Sequence, residues 1–363
     1  MFSCIRFPSY RFHPFSFRSL TRTMATQSPV LKKQKTDHQK VIGTHNGTFH
    51  CDEALAVFLL RQTTAYQGAE LKRTRDPAIL DSCDIVVDVG AIYDEAKQRF
   101  DHHQRGFTEV FGHGFTTKLS SAGLVFKHFG KEVISNRTQV PLDDPKIQTL
   151  WLKMYEEFIE AIDGGDNGIP RYPEDIKPAY KSGGTSLPSR VAALNPPWNQ
   201  PVDSQGMDDR FAKASSLTGE EFFAKLDFYA NAWLPARDIL VDALANSKKV
   251  ADSTGKIILL EQFLPWKSHL FELESESQTE GQAIYVVYPD EMAKAWRIQA
   301  VPVAQESFES RKPLPDQWRG LRDDELTNVS GVQGGIFVHA SGFIGGNQTK
   351  EGALKLAQLA LTM

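Results

Sequence analysis

Four short segments place histidine or aspartate at the end of a predicted strand or in the loop after it. They are residues 44–53, 86–90, 100–104 and 161–168. The carboxyl ends of strands are where open α/β sheets bind ligands. The chain has ten histidines, and four of them fall between residues 45 and 103. The pattern predicts one shared site, and a buried hydrogen-bond network is the alternative.

The residue types in these segments predict metal chemistry. Neutral imidazoles and carboxylates together suit Mn²⁺, Fe²⁺, Co²⁺ or Zn²⁺, whereas sites built from oxygen alone favour Mg²⁺ or Ca²⁺. The four segments supply six or more candidate ligands, which exceeds what one ion needs. Two ions about 3.5–4 Å apart, bridged by a carboxylate, would use them all. Such a pair activates water for in-line displacement at phosphorus, so phosphoester hydrolysis is the predicted reaction.

The charge of the chain is unevenly spread. Residues 1–40 contain eight basic residues and one acid, a net +7, so the formal total of −4 leaves −11 on residues 41–363. This balance excludes a uniformly basic nucleic-acid clamp. A polyanion would therefore be held by a local patch or by bound cations.

The amino-terminal composition predicts a targeting segment over residues 1–40. The first 30 residues contain four arginines and no acid, as transit peptides do. Met24 could serve as an internal start, and the basic run 32–35 is a weak nuclear-localisation pattern. These features predict a dual mitochondrial and nuclear location, with the cytoplasm as the alternative.

Composition also bounds the class of protein. The longest apolar run, near 54–60, is far shorter than the roughly 18 residues that a membrane span needs, so no membrane partner is expected. The three cysteines form no C-x-x-C pair, which excludes a disulfide scaffold and a zinc ribbon. P-loop, nucleophile-elbow and H-E-x-x-H motifs are absent from the sequence, which disfavours an NTPase, an α/β-hydrolase and a zincin protease.

Alternating strand and helix patterns predict the elements that hold the site. Short strands near residues 41–43, 70–74 and 84–89 alternate with helices over 51–62 and from 120 to about 134, which predicts an α/β domain with a mostly parallel sheet. A longer helix should open at Asp143-Asp144 and stop at Gly164-Gly165. Residues 164–218 look irregular apart from a short helix near 188–194, and Pro235 interrupts a helical stretch over 220–246. The predicted divisions are residues 1–40, a catalytic domain 41–218, a helical connector 219–250 and a smaller α/β substrate-binding domain 251–363.

The glycine-rich segment 334–346 is a second candidate site. Glycines let backbone N–H groups approach phosphate oxygens, and the predicted helix at Lys350 adds positive potential. The candidate substrate-binding residues are Gly335, His339, Ser341, Gly342, Gly345, Gly346, Arg297 and Arg319. A structural turn without a ligand is the alternative.

The triplet Asp101-His102-His103, in the order set by the other segments, resembles the DHH phosphoesterase superfamily. Residues 42–54, 117–123, 233–237 and 339–346 more closely resemble the melanocyte proliferating gene 1 family, over about residues 41–361. The resemblance implies a two-domain, DHH-type fold and a metal-dependent 3′–5′ exonuclease that acts on single-stranded RNA.

The resemblance also implies roles for the site residues. One ion would be held by His45, His50 and Asp88, and the other by Asp52, Asp88, His102 and either Asp163 or Asp166. Asp101 would orient His102, and His103 would contact the scissile phosphate or protonate the leaving oxygen.

The first motif departs from the superfamily pattern. It has offsets of zero, five and seven instead of zero, four and six, with His50 replacing an aspartate. This favours two Mn²⁺ ions, with Mg²⁺ as the alternative.

Two other functions remain open from the sequence. The acidic body is compatible with a hydrolase of pyrophosphate, a dinucleotide or a nucleotide phosphate. A non-catalytic RNA-binding protein that has kept its metals for folding is the second alternative. The oligomeric state is not predicted.

Overall fold

The computed structural model describes residues 39–173, 175–177 and 183–363. The predicted targeting segment therefore lies, except for its last two residues, outside the described residues. The described part of the chain has a mixed α/β fold with two five-stranded sheets and a two-stranded hairpin.

The first sheet is mostly parallel, as the alternating pattern predicts. Its strands are β1 (Val41–Thr44), β2 (Glu70–Arg73), β3 (Ile85–Val87), β4 (Tyr93–Asp94) and β5 (Arg99–Phe100). They lie in the order β2-β1-β3-β5-β4, and only β4 runs antiparallel to its neighbour. Because β1, β3 and β5 are parallel, the residues that follow them meet at one edge of the sheet. A separate hairpin, β6 (Val110–Gly112) and β7 (Phe115–Lys118), follows.

Helices pack around this sheet. They are α1 (Cys51–Arg61), α2 (Pro77–Asp81), α3 (Ser121–Thr138), α4 (Pro145–Met154), α5 (Glu160–Asp166), α6 (Leu187–Ala192) and α7 (Ser204–Phe228). The next helix, α8 (Leu234–Val250), packs on the second sheet. Two single π-helical turns, Tyr155–Ile159 and Tyr229–Trp233, join α4 to α5 and α7 to α8. Helix α1 is the central helix of this layer, with its apolar residues buried against α3 and α7. Gly219 permits the contact with α7, because a Cβ there would lie 2.2 Å from the Phe58 ring.

One predicted irregular region is partly wrong. Residues 204–218 are helical, not irregular, because Asp203 caps α7 by accepting a hydrogen bond from the Gly206 amide and Phe211 is fully buried. Helix α5 ends at Asp166, one residue beyond the predicted stop at Gly164-Gly165. The predicted connector boundary at 219 therefore falls inside a continuous helix. The interruption predicted at Pro235 corresponds to the π-helical turn just before it.

The second sheet is formed by the carboxyl-terminal third of the chain. Its elements are β8 (Ile257–Leu259), α9 (Lys267–Ser277), β9 (Tyr285–Asp290), β10 (Ala295–Ala300), α10 (Asp323–Ser330), β11 (Gly335–Val338), β12 (Ile344–Asn347) and α11 (Lys350–Thr362). The strand order is β11-β12-β10-β9-β8, antiparallel except for β8 with β9. Strand β12 occupies what the sequence predicts to be part of a glycine-rich loop.

Each sheet has its own buried apolar core. One core surrounds α1 and the first sheet, while α11 packs on one face of the second sheet and residues of α8 and α9 on the other. None of the helices within the described ranges is long and apolar enough to cross a bilayer. The α/β class is confirmed, and the division into two DHH-type domains stays a prediction.

Candidate metal centre

The loop after β1 and the first turn of α1 supply one side of the cluster. His45 follows β1 directly, and the carbonyl oxygen of Asn46 and Nη2 of Arg75 lie 3.1 and 3.3 Å from its Nδ1 atom. His50 is the N-cap of α1, and its backbone N–H donates to both carboxylate oxygens of Glu53, at 2.8 and 3.0 Å. This capping-box geometry fixes Glu53 beside His45.

Asp88, which follows β3, lies between two histidines. Its Oδ2 is 3.3 Å from Nε2 of His45, and its Oδ1 is 3.3 Å from Nε2 of His102. The backbone of Asp88 is left-handed, with φ of 58°, a conformation that aspartate and asparagine tolerate better than most residues. The two oxygens of this single carboxylate therefore face two separate groups of ligand atoms.

The residues after β5 take positions that differ in part from the prediction. Oδ1 of Asp101 accepts from the backbone N–H of His103 at 3.1 Å and lies 2.8 Å from its Nδ1, while Oδ2 accepts from the Ala91 amide at 2.6 Å. Asp101 therefore orients His103 and not His102. The residue that contacts the outer side of His102 is Asn167, whose Oδ1 is 3.3 Å from Nδ1. Asn167 is held in turn by donating to the backbone oxygens of Lys118 and Asp163.

Of the two aspartates in the fourth segment, only Asp166 contacts His102. Its Oδ2 lies 3.2 Å from Nε2 of His102. The sequence left Asp163 and Asp166 as alternative ligands, and the buried carboxylate of Asp163 is used elsewhere. It accepts from the amide and hydroxyl of Ser120 at 2.9 and 2.7 Å, from the Gly123 amide at 3.1 Å and from the Tyr155 hydroxyl at 3.1 Å. Asp163 ties α5 to the start of α3.

The ligand atoms form two groups that share Asp88. Around Nε2 of His45 lie Oε1 of Glu53 at 3.1 Å and Oδ2 of Asp88. Around Nε2 of His102 lie Oδ1 of Asp88, Oδ2 of Asp166 and, at 4.0 Å, Oδ2 of Asp52. His50 offers a further nitrogen to either group. Ligand atoms at metal bonds of about 2.1 Å lie roughly 3.0–3.4 Å apart, so most of these spacings suit a shared ion.

Buried polar atoms that lack a hydrogen-bond partner indicate whether these residues fit metal ions. Among the residues that the structure describes, Oδ1 of Asp52, Oδ1 of Asp88 and Nε2 of His102 are buried without a hydrogen-bond partner. Such atoms are rare in folded proteins because each forfeits its interaction with water. Oδ1 of Asp88 and Nε2 of His102 lie 3.3 Å apart, which a shared ion would explain. The cluster can therefore bind divalent metal.

Burial and charge displace the pKa values of the cluster strongly. Burial lowers the pKa of His102, but the carboxylates of Asp166 and Asp88 outweigh this effect and raise the pKa to about 10. His45 behaves in the same way, with Asp88 and Glu53 raising its pKa to about 10 against burial. Burial and the charges of Asp88 and Asp166 raise the pKa of Asp52. Metal binding would therefore displace protons from the imidazoles.

A cavity of about 700 Å³ opens over the cluster. Its walls include His50, His103, Asp166, Lys118 and, from α6, Ser189. His103 is exposed at the cavity, with 60% of its side chain accessible. Sequence reasoning missed Lys118, although the Thr117–Gly123 motif contains it.

Cys51 also lines the cavity. Burial, with the charges of Asp52 and Glu53, raises the pKa of its thiol, so a thiolate nucleophile is disfavoured.

The carboxyl-terminal candidates lie on the β11–β12 hairpin. His339 and Ser341 are exposed in its turn, where Nδ1 of His339 is 2.9 Å from the Ser341 hydroxyl and Gly342 has φ of +74°. Gly345 and Gly346 lie in β12, which pairs with β10 on one side and β11 on the other, and their expected phosphate contact stays a prediction. Gly335, in β11, pairs with Asn347 of β12 and packs against α10.

The two candidate arginines are already engaged. Arg297 donates to Asp290 at 2.6 Å and lies over the Phe337 ring at 5.4 Å. Arg319 pairs with Asp316 and donates from Nε to the Leu314 carbonyl at 2.9 Å. Neither arginine is among the described residues that line the cavity over the metal cluster.

Fold and site together define a mixed α/β protein with a buried histidine–carboxylate centre that can bind divalent metal ions. The family model MYG1_exonuc, described as "Uncharacterised protein family (UPF0160)", matches residues 41–361. The chain belongs to this family, and the resemblance to it is confirmed.

Relatives in distant organisms match most of the length of the chain at about half of its residues. The human MYG1 exonuclease is 51% identical over 326 residues, covering 88% of this chain and 85% of the human protein. The bovine MYG1 exonuclease is 51% identical over 357 residues, or 96% of this chain and 92% of its own. An MYG1 protein of Schizosaccharomyces pombe is 49% identical, with 88% and 97% covered. No solved structure matches the chain significantly, so the DHH relationship stays a prediction.

Proposed function

We propose that the protein is a 3′–5′ exonuclease that hydrolyses single-stranded RNA with two divalent metal ions, Mn²⁺ in preference to Mg²⁺. The observation that carries the proposal is the Asp88 carboxylate, whose two oxygens face separate histidine-containing ligand groups. The name exonuclease carried by the human and bovine relatives supports nuclease activity.

The donor set divides between the two ions. His45, His50 and Asp88 would hold the first, and Asp52, Asp88, His102 and Asp166 the second. The ions would supply a hydroxide nucleophile at neutral pH and stabilise the attacking and leaving oxygens. They would also attract a polyanion to a body whose formal charge over residues 41–363 is −11.

Residues of the chain would handle the phosphate and the proton. Asp101 holds His103 through Nδ1 at the cavity surface, which leaves Nε2 to donate a proton to the leaving 3′ oxygen. Lys118, on the cavity wall, would neutralise a non-bridging phosphate oxygen. Asn167 keeps the His102 ring in place while the reaction proceeds.

The β11–β12 hairpin would position the RNA in the second half of a two-domain, DHH-type arrangement. Its exposed His339 and Ser341 can contact phosphate or ribose, and Phe343 next to them is 38% exposed and can stack on a base. Location in mitochondria and nucleus is part of the proposal and rests on the composition of residues 1–40 alone.

The test uses single-stranded RNA labelled at its 5′ end, incubated with Mn²⁺ and either the wild type or His102→Ala. We expect a ladder that shortens one nucleotide at a time from the 3′ end with the wild type only. His113→Asn is the control, because His113 is exposed and asparagine tolerates its φ of 57°. Equal cleavage by wild type and His102→Ala would reveal a contaminating nuclease, and no cleavage by any of them would refute RNA as the substrate.

A small phosphate compound is the second candidate substrate, and the acidic body favours it. His339→Ala separates the two candidates. If RNA is the substrate, this variant should lose most activity on RNA yet keep most activity on a nitrophenyl phosphodiester, since the hairpin positions the polymer. Equal activity of His339→Ala and wild type on both compounds would favour the small substrate.

A further inference from the structure

Glu53 is a fully buried carboxylate that the sequence-based ligand set leaves out. Its relative exposure is 0%, and both of its oxygens accept from the His50 amide. Within the part of the chain that the structure describes, its ion-pair contact is with His45 alone, at 3.1 Å. Burying a carboxylate costs several kcal/mol unless a cation or hydrogen bonds compensate. A positive charge in addition to His45 would therefore stabilise the Glu53 carboxylate.

The atoms around Glu53 have the spacing of ligands on one ion. Oε1 of Glu53 and Oδ2 of Asp88 lie 3.1 and 3.3 Å from Nε2 of His45. The three atoms come from the start of α1, the end of β3 and the end of β1, so no local repeat brings them together. Oδ1 of Asp88 is buried and has no hydrogen-bond partner among the described residues, as an atom aimed at a second ion would. His50, by contrast, is exposed.

We infer that Glu53 is a ligand of the first metal ion, together with His45 and Asp88, an inference that rests on the two-ion site proposed above. Charge supports the assignment. The four carboxylates that face the cluster, Asp52, Glu53, Asp88 and Asp166, carry a formal −4, which two divalent ions neutralise completely. Their ion-pair partners, among the residues described, are histidines only.

Helix capping alone does not account for this residue. A capping-box glutamate reaches back to the N-cap amide and does so equally well at the protein surface. Glu53 instead lies at the inner face of α1, where its charge costs most. The capping bonds fix the carboxylate so that Oε1 points to His45, which makes capping the means of positioning a ligand.

The test measures Mn²⁺ binding by calorimetry on the metal-stripped full-length chain. Glu53→Gln keeps the length of the side chain and an oxygen that can accept from His50, and it removes the charge and one acceptor oxygen. We expect two ions on the wild type, and on Glu53→Gln at least about a 100-fold loss of affinity for one ion. Without metal, Glu53→Gln should melt at the wild-type temperature or higher, because a buried charge has gone.

The control is Glu351→Gln, which neutralises an exposed acid in the first turn of α11. Unchanged binding of both ions to Glu53→Gln, with a lowered melting temperature, would overturn the inference and leave capping as the role of Glu53. A wild type that binds no divalent ion would instead overturn the two-ion site itself. Should Glu53→Gln not fold, Glu53→Asp decides: a ligand predicts weakened Mn²⁺ binding and a capping residue predicts wild-type binding.

Discussion

Replacement of Asp88 by asparagine is the sharpest test of the shared-carboxylate arrangement. Asparagine has the same shape and accepts the left-handed backbone of this position, where φ is 58°. The substitution therefore removes one negative charge and one acceptor and leaves the strand end intact. Both histidine groups should feel the loss, because each has one Asp88 oxygen at 3.3 Å.

The cost to the metal-free protein follows from the pKa of Asp88. Burial raises this pKa, but His102 and His45 outweigh burial, and the net pKa falls from 3.8 to about 2. A carboxyl whose pKa falls on folding stabilises the protein above its unfolded pKa, and the stabilisation is lost as pH falls toward 2. At pH 7 the difference between the folded and unfolded pKa values corresponds to about 2 kcal/mol of folding stability, at about 1.36 kcal/mol per pKa unit. Asp88→Asn should lose this stabilisation.

The cost to metal binding should be larger. Two unit charges about 4 Å apart at an effective dielectric constant of about 20 interact by roughly 4 kcal/mol, so loss of one carboxylate charge should cost at least about a thousandfold in affinity for each divalent ion. Activity at micromolar Mn²⁺ should therefore disappear, with partial recovery at millimolar Mn²⁺.

Two assays check these numbers. Urea unfolding in EDTA measures the free energy of unfolding, and calorimetry with Mn²⁺ measures the affinities. Asp81→Asn is the control, because Asp81 is exposed at the end of α2. Wild-type affinity of Asp88→Asn for both ions would refute the shared carboxylate. Loss of one ion alone would show that Asp88 serves a single metal.

Two further predictions concern Asp163 and Lys118. Burial raises the pKa of Asp163 to about 7, so the native state holds a proton that the unfolded state releases, and stability should fall as pH rises from about 4 to 7. The decline should amount to at most roughly 4 kcal/mol in the free energy of unfolding, and Asp163→Asn should lack it. Urea unfolding of the wild type and the variant at pH 4 and pH 7 measures this difference. Lys118→Gln should raise KM for RNA about tenfold and leave the Mn²⁺ affinity unchanged, because the substitution removes a phosphate contact and keeps every metal ligand. A wild-type KM for Lys118→Gln would remove Lys118 from substrate binding.

The sequence alone determined which segments carry the chemistry. His45 follows an apolar strand, Asp88 follows an Ile-Val-Val strand, and His102 follows β5. Parallel strands bring their carboxyl ends to one edge, so a local pattern of strand and polar residue is enough to predict that these side chains meet. The family motifs are also contiguous in sequence and needed no structure.

Other features required the tertiary structure, because they depend on the direction in which a side chain leaves its element. Asp163 and Asp166 lie three residues apart on α5, yet the first faces α3 and the second faces His102. Sequence gives their spacing but not the rotation of the helix about its axis, which is set by packing against α1 and α3. Asp101 contacts His103 and not the expected His102 for the same reason, since side-chain direction decides the partner.

The formation of strand β12 and the burial of Glu53 also depend on contacts between elements far apart in the chain. Gly345 and Gly346 have low strand propensity, and β12 forms because β10 and β11 pair with it from both sides. Glu53 reads as an ordinary first-turn acid until burial of α1 removes it from water and places it beside His45. The sequence thus determined the donor types and their order, while packing decided which donors share an ion, since only packing fixes distances between elements far apart in the chain.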